Sequence, residues 1–104
     1  KVRNAITLSS RDSGKVFSNE GATARVDFAI EWMSPGDEWN FYVHTGVHGV
    51  RVIAPAVATI TTNSGTSAAG GRTDDATVGS FITLKCLSTT VISAVVQKGT
   101  WTVT

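Results

Sequence analysis

The chain has 104 residues, 41% of them hydrophobic, with nine Lys and Arg against eight Asp and Glu. That length builds one core rather than two, and the nearly cancelling, scattered charge leaves no basic stripe for nucleic acid and no acidic tail. No apolar run approaches the ~20 residues of a membrane-spanning helix, and the lone Cys86 excludes a disulfide framework or a thiolate metal cluster within one chain.

The first residues lack the apolar centre of a signal peptide, and none of Asn4, Asn19, Asn40 or Asn63 starts a glycosylation sequon. The lone cysteine and the absence of a sequon both fit synthesis in a reducing cytoplasm. The first residue is Lys1 rather than Met, which points to trimming, processing or a longer parent chain. Residues 1–10 are expected to be an N-terminal arm on a single domain spanning 1–104.

Residues 11–22, RDSGKVFSNEGA, contain a Ser-Gly-Lys that resembles part of a phosphate loop. A Walker loop needs Gly, four residues and then Gly-Lys-Ser/Thr, because backbone amides wrap the phosphates and a hydroxyl holds magnesium. Here Ser9 stands at the first glycine position and Val16 at the hydroxyl position, with no helical pattern after it. The stretch reads instead as a hairpin, with Asp12-Ser13-Gly14 as one turn, Asn19-Glu20-Gly21 as a loop with Gly21 at positive φ, and Phe17 turned inward.

Helical periodicity is missing throughout, and Val, Ile and Thr are abundant. In ATARVDFAI, Ala24, Val26, Phe28 and Ile30 share one face, which predicts a half-buried strand over 24–30. The same rhythm predicts strands at 40–44, 50–54, 57–61, 80–87, 90–97 and 100–104, separated by turn signals such as Ser34-Pro35-Gly36-Asp37, Gly70-Gly71 and Lys98-Gly99. The polar, glycine-rich segment 62–80 reads as a long loop or a short edge strand. Many short strands with Gly-rich punctuation predict an all-β fold, an antiparallel β-sandwich or jelly roll, with a small barrel as the related alternative.

The segment EWMSPGDEWN sets Trp32 and Trp39 beside Asp37 and Glu38. Exposed tryptophans next to carboxylates suit a sugar ring, and two carboxylates about 5–9 Å apart suit glycoside cleavage. Neighbouring positions on a strand point to opposite faces, which argues against Asp37 and Glu38 as a catalytic pair. The competing expectation is that the tryptophans cover the core or an interface. His44 and His48 lie four apart, roughly 13 Å on a strand, too far for one ion about 2 Å from each nitrogen. Only a turn at Gly46 or Gly49, or symmetry-related copies meeting on an axis, would change that. Cys86 alternates with Ile82 and Leu84, which reads as a core thiol. Asp74-Asp75 matches no calcium loop. No catalytic residue, metal or cofactor is expected.

The order of DSGKVFSNEGA, RVDFAI, a Pro-containing loop, FYV…GVRV, SAAGG, TVGSFITL and GTWTVT resembles a small β domain of tailed-bacteriophage virions. That domain occurs in capsid decoration (cement) proteins and in tail fibres or spikes, and the likeness runs from about Arg11 to Thr104. It implies hairpin signatures at 12–15 and 19–22, a core strand over 79–84, and Trp101 as the closing aromatic. It also implies a non-enzymatic homotrimer located in the virion and made in the host bacterial cytoplasm. EWMSPGDEW departs from the pattern, which singles out Trp32, Asp37, Glu38 and Trp39 as contacts to a partner or a glycan.

Physics points separately to assembly. The last strands carry few charges to blunt an edge, so Val91, Ile92, Val95, Trp101 and Val103 are the expected subunit interface. The leading expectation is a trimeric decoration protein bound to the major capsid protein or another virion protein. A tail fibre or spike module is the alternative, and a carbohydrate-binding sandwich using Trp32, Trp39 and Tyr42 is the second. Neither nucleic acid nor membrane is an expected partner.

Overall fold

Alternating apolar side chains decide both the strands and their facing. A computed structural model describes residues 5–46 and 49–104. It contains β1 (Ala5–Leu8), β2 (Val16–Ser18), β3 (Val26–Ile30), β4 (Glu38–Tyr42), β5 (Val50–Ile53) and β6 (Thr59–Thr62). There follow β7 (Gly65–Thr66), β8 (Arg72–Asp75), β9 (Phe81–Ser88), β10 (Val91–Lys98) and β11 (Thr102–Val103). One turn of 3-10 helix covers Ser10–Asp12. In β3, Val26, Phe28 and Ile30 are buried while Asp27 and Ala29 are half-exposed, as a period of two requires.

Two sheets face each other, ordered β1-β3-β5-β8-β11 and β2-β4-β9-β10-β6-β7. The all-β sandwich is therefore as expected, but the sheets are mixed rather than antiparallel. β1 with β3, β3 with β5, β2 with β4 and β6 with β10 are parallel pairs. The cause is the path of the chain. Strands β1 to β5 alternate between the two sheets, so each return lays a strand alongside its predecessor in the same direction. Strand β6 instead joins the second sheet beyond β10 and runs parallel to it. A jelly roll, built from antiparallel strands, does not arise that way.

The same path overturns the hairpin at 11–22. β2 pairs with β4, and the chain then crosses to the other sheet instead of turning back on itself. Gly21 does take positive φ, at 75°, and Phe17 does point inward. The fully buried Asn19 anchors the crossover: its Nδ2 donates to the carbonyls of Thr45 (2.7 Å) and Gly49 (3.3 Å), and its Oδ1 accepts from the N–H groups of His44 (2.8 Å) and Thr45 (3.0 Å).

Two further expectations change. Within the arm expected at 1–10, Ala5–Leu8 is a strand, because Leu8 is buried and the segment pairs with β3; Ser9 and Ser10 open the 3-10 turn, and Lys1 to Asn4 lie outside the described residues. The segment 62–80 holds β7 and β8, and β8 is interior, between β5 and β11. Its RTDD sequence gives no hydrophobic signal because only Thr73 is buried.

The core joins the sheets through Phe17, Phe28 and Phe41, with ring centroids 5.3–5.8 Å apart. Such pairs add about 0.5–1.5 kcal/mol beyond the area they bury. Trp39, Trp101, Leu84, Ile82, Ile92 and Cys86 pack in the same interior.

Candidate functional site

One surface cleft grows from a local rule at Ser9. A Ser followed three residues later by an acid forms a capping box, each side chain bonding the other's backbone N–H. Here the Asp12 carboxylate accepts from the Ser9 N–H (3.0 Å) and the Ser9 side chain closes the box, fixing the 3-10 turn. The Ser9 N–H holds the Asp12 carboxyl below its usual range, and the Lys15 ammonium at 3.2 Å adds to this. Beneath the turn, the indole N–H of buried Trp39 donates to the Ser9 carbonyl at 3.1 Å.

Between that turn and the end of β3 lies a cleft of about 440 Å³, bordered by Thr7, Arg11, Asp12, Lys15, Glu31 and Trp32. The Glu31 N–H donates to the Leu8 carbonyl at 2.8 Å, extending the β1–β3 ladder past Ile30 and fixing the backbone that carries Trp32. Trp32 is 48% exposed, whereas Trp39 and Trp101 have no exposure. Lys15 is paired with Asp12, while Arg11 and Glu31 enter no ion pair among the described residues.

The four residues singled out in the tryptophan segment are thus separated. Trp32 lines the cleft. Trp39 does not reach the surface: it alternates with Phe41 on the inner face of β4, so it cannot stack on a ligand. Asp37 is consumed by its own turn, accepting from the Ser10 hydroxyl and from the Ser34 N–H. Glu38 lies on the outer face of β4, 4.0 Å from Lys85. Tyr42 is on that outer face as well, on a different wall from Trp32. Arg11, Asp12 and Glu31 were not anticipated as site residues. The Ser9-Asp12 capping spacing was the available signal for the first two.

Other candidates resolve locally. Lys15 precedes a strand, not a helix, and its ammonium faces a carboxylate. His44 ends its strand region at the surface, and His48 lies outside the described residues. Among the described residues no three of His, Cys, Asp and Glu converge on a metal-sized site. Cys86 is buried; burial pushes its thiol pKa up, the Asp37 charge adds to that, and Sγ donates to the Ser88 carbonyl. A second cleft, of about 310 Å³, sits over β5, β8 and β11. The ion pairs Arg51–Asp74 (2.9 Å) and, beside it, Arg25–Asp27 (2.7 Å) engage both of its arginines, and Asp75 also lines it.

The expected interface residues also divide. Val95 is exposed and Val91 half-exposed on β10. Ile92 and Trp101 are fully buried in the chain's own core and are not free to meet a neighbour. Val103 belongs to β11, in the other sheet. The residues that do reach solvent are Val95, Val96 and Leu87, for a geometric reason. The β9–β10 ladder skips Leu87 and Val95 as bulges, and bulges re-aim side chains. The ladder register then places Val16, Asn40, Thr83 and Val96 in one outward row, with Tyr42 and Phe81 in the next. The middle of the first row is closed by Thr83 Oγ1 donating to Asn40 Oδ1 at 2.6 Å.

Comparison with known proteins returns no matching family model, no matching curated protein and no matching solved structure.

Proposed function

We propose that this chain is a structural module of a tailed-bacteriophage virion, a trimeric capsid decoration protein that binds and stabilises the shell. The observation that carries this reading is the outer face of the β2-β4-β9-β10 sheet. It exposes Val16, Tyr42, Leu87, Val95 and Val96 at 36–66% of their surface, next to half-buried Phe81 and Val91. Apolar groups gathered on one face mark a surface meant to be covered. Covering a side chain of this kind contributes up to about 1.5–3 kcal/mol when it starts fully exposed, so several together support association of identical copies. The resemblance of the ordered segments from Arg11 to Thr104 to virion β domains supplies the biological setting. Asp12 and Asp37 are engaged in turns, and Asp27 and Asp74 in ion pairs, which favours architecture over catalysis at those positions.

The experiment is quantitation of this chain in purified virions against the major shell protein. Copy number on the scale of the shell subunits is expected. A number on the scale of a tail would replace the decoration reading with the fibre or spike module.

A further inference from the structure

We propose that the cleft beside Trp32 is a binding site for an uncharged pyranose, with the indole as the stacking surface and Arg11 and Glu31 as the hydroxyl-recognising pair. The proposal stands apart from the trimer and from the shell, since neither the outer sheet face nor a second copy enters it.

Four observations carry it. The first is the contrast among the tryptophans: two are fully enclosed, and the third keeps 48% of its surface in water while bordering a cleft. An indole offers an apolar face with negative quadrupole, which suits the C–H face of a sugar ring. The second is size, since about 440 Å³ falls within the roughly 300–1,000 Å³ of small-molecule sites.

The third is the polar complement. A guanidinium only donates and a carboxylate only accepts, so together they match hydroxyls, which do both. Of the four charges that border the cleft, Arg11 and Glu31 enter no ion pair among the described residues, while Lys15 and Asp12 pair with each other. The four charges cancel. A phosphate or a sugar acid would meet two carboxylates as well as two cations, so a neutral ligand fits best.

The fourth is rigidity. The Glu31–Leu8 backbone bond, the Ser9–Asp12 capping box and the Trp39–Ser9 bond fix both walls before any ligand arrives. A preformed site loses less to ordering on binding.

The test uses the buried state of the other two tryptophans, which leaves Trp32 to dominate quenching by acrylamide. The probes are methyl pyranosides of glucose, galactose, mannose and N-acetylglucosamine, with glucuronate as the charged comparison. At least one neutral glycoside is expected to protect the fluorescence saturably, with a dissociation constant of about 1 mM or tighter. Glu31→Gln should weaken that binding about tenfold, the loss of a charge-assisted hydrogen bond. Trp32→Ala removes the optical signal, so its binding is read by ligand-observed NMR, where the saturation-transfer signal should vanish while the far-UV spectrum is unchanged. Trp32→Phe should retain weaker binding. The proposal is overturned if no neutral glycoside protects at concentrations up to about 100 mM. It is overturned equally if Trp32→Ala binds as well as the parent, or if only glucuronate binds.

Discussion

Replacing Asn19 by Ala removes one buried amide that makes four hydrogen bonds to the backbone of the segment after β4 and to Gly49. The His44 and Thr45 N–H groups lose their acceptor, and the Thr45 carbonyl loses its short donor. The Gly49 carbonyl keeps the Val26 N–H at 3.3 Å. A buried polar group left unpaired costs about 1–3 kcal/mol, and the low end applies here because His44 is exposed and Thr45 half-exposed, so water replaces part of what is lost. Three groups at about 1 kcal/mol each give a loss of ~3 kcal/mol. That is a large share of the about 5–15 kcal/mol available to a domain, and lowers Tm by about 10–20 °C for one of this size. Urea unfolding followed by circular dichroism, with the denaturant slope unchanged, measures it. A loss below about 0.5 kcal/mol for the Ala variant would refute the view that Asn19 anchors the crossover.

Other consequences follow from single contacts. Trp39→Phe keeps most of the packing but abandons the bond to the Ser9 carbonyl, and should cost about 2 kcal/mol in chemical denaturation; an unchanged midpoint contradicts the role given to that indole. Cys86 should resist a thiol reagent in the native state and react once urea unfolds the chain, since it is buried with a raised thiol pKa; prompt labelling of the folded protein would place it at the surface. The Asp12 carboxyl is depressed in the fold, so its contribution is complete above the unfolded value of about 3.9 and is lost as pH falls toward the lower folded value. Asp12→Asn should therefore flatten the acid limb of the stability curve, read by thermal melts at pH 2 to 5. An acid limb identical to that of the parent excludes Asp12 from it.

Facing was readable along the chain; partnering was not. The period of two in Val26, Phe28 and Ile30, in Ile82, Leu84 and Cys86, and in the choice of Phe17 over Val16 put the right side chains in the core. The same rhythm in Trp39 and Phe41 points Trp39 inward, in keeping with the expectation that the tryptophans cover the core. Periodicity says which face of a strand is buried and is silent about the direction of the strand beside it. The parallel pairs join residues 22 to 32 apart in sequence, and the crossover at Asn19 depends on contacts 25 to 30 apart. β8 was hidden because its alternation is Thr73 against charged neighbours, with Asp74 engaged by Arg51 across the sheet. The cleft was half legible: Trp32 stood out, but Arg11 and Glu31 meet it only because β1 and β3 lie side by side.

Sedimentation velocity at micromolar concentration tests the assembly claim most directly, on the parent chain and on Val96→Asp, whose side chain is 56% exposed and whose fold should survive. The parent should sediment as a species of about 33 kDa, three times the 10.9 kDa chain, and the variant should shift toward the single chain with an unchanged far-UV spectrum. A parent that runs as a 10.9 kDa particle across that range, or a variant as fully assembled as the parent, would contradict the account.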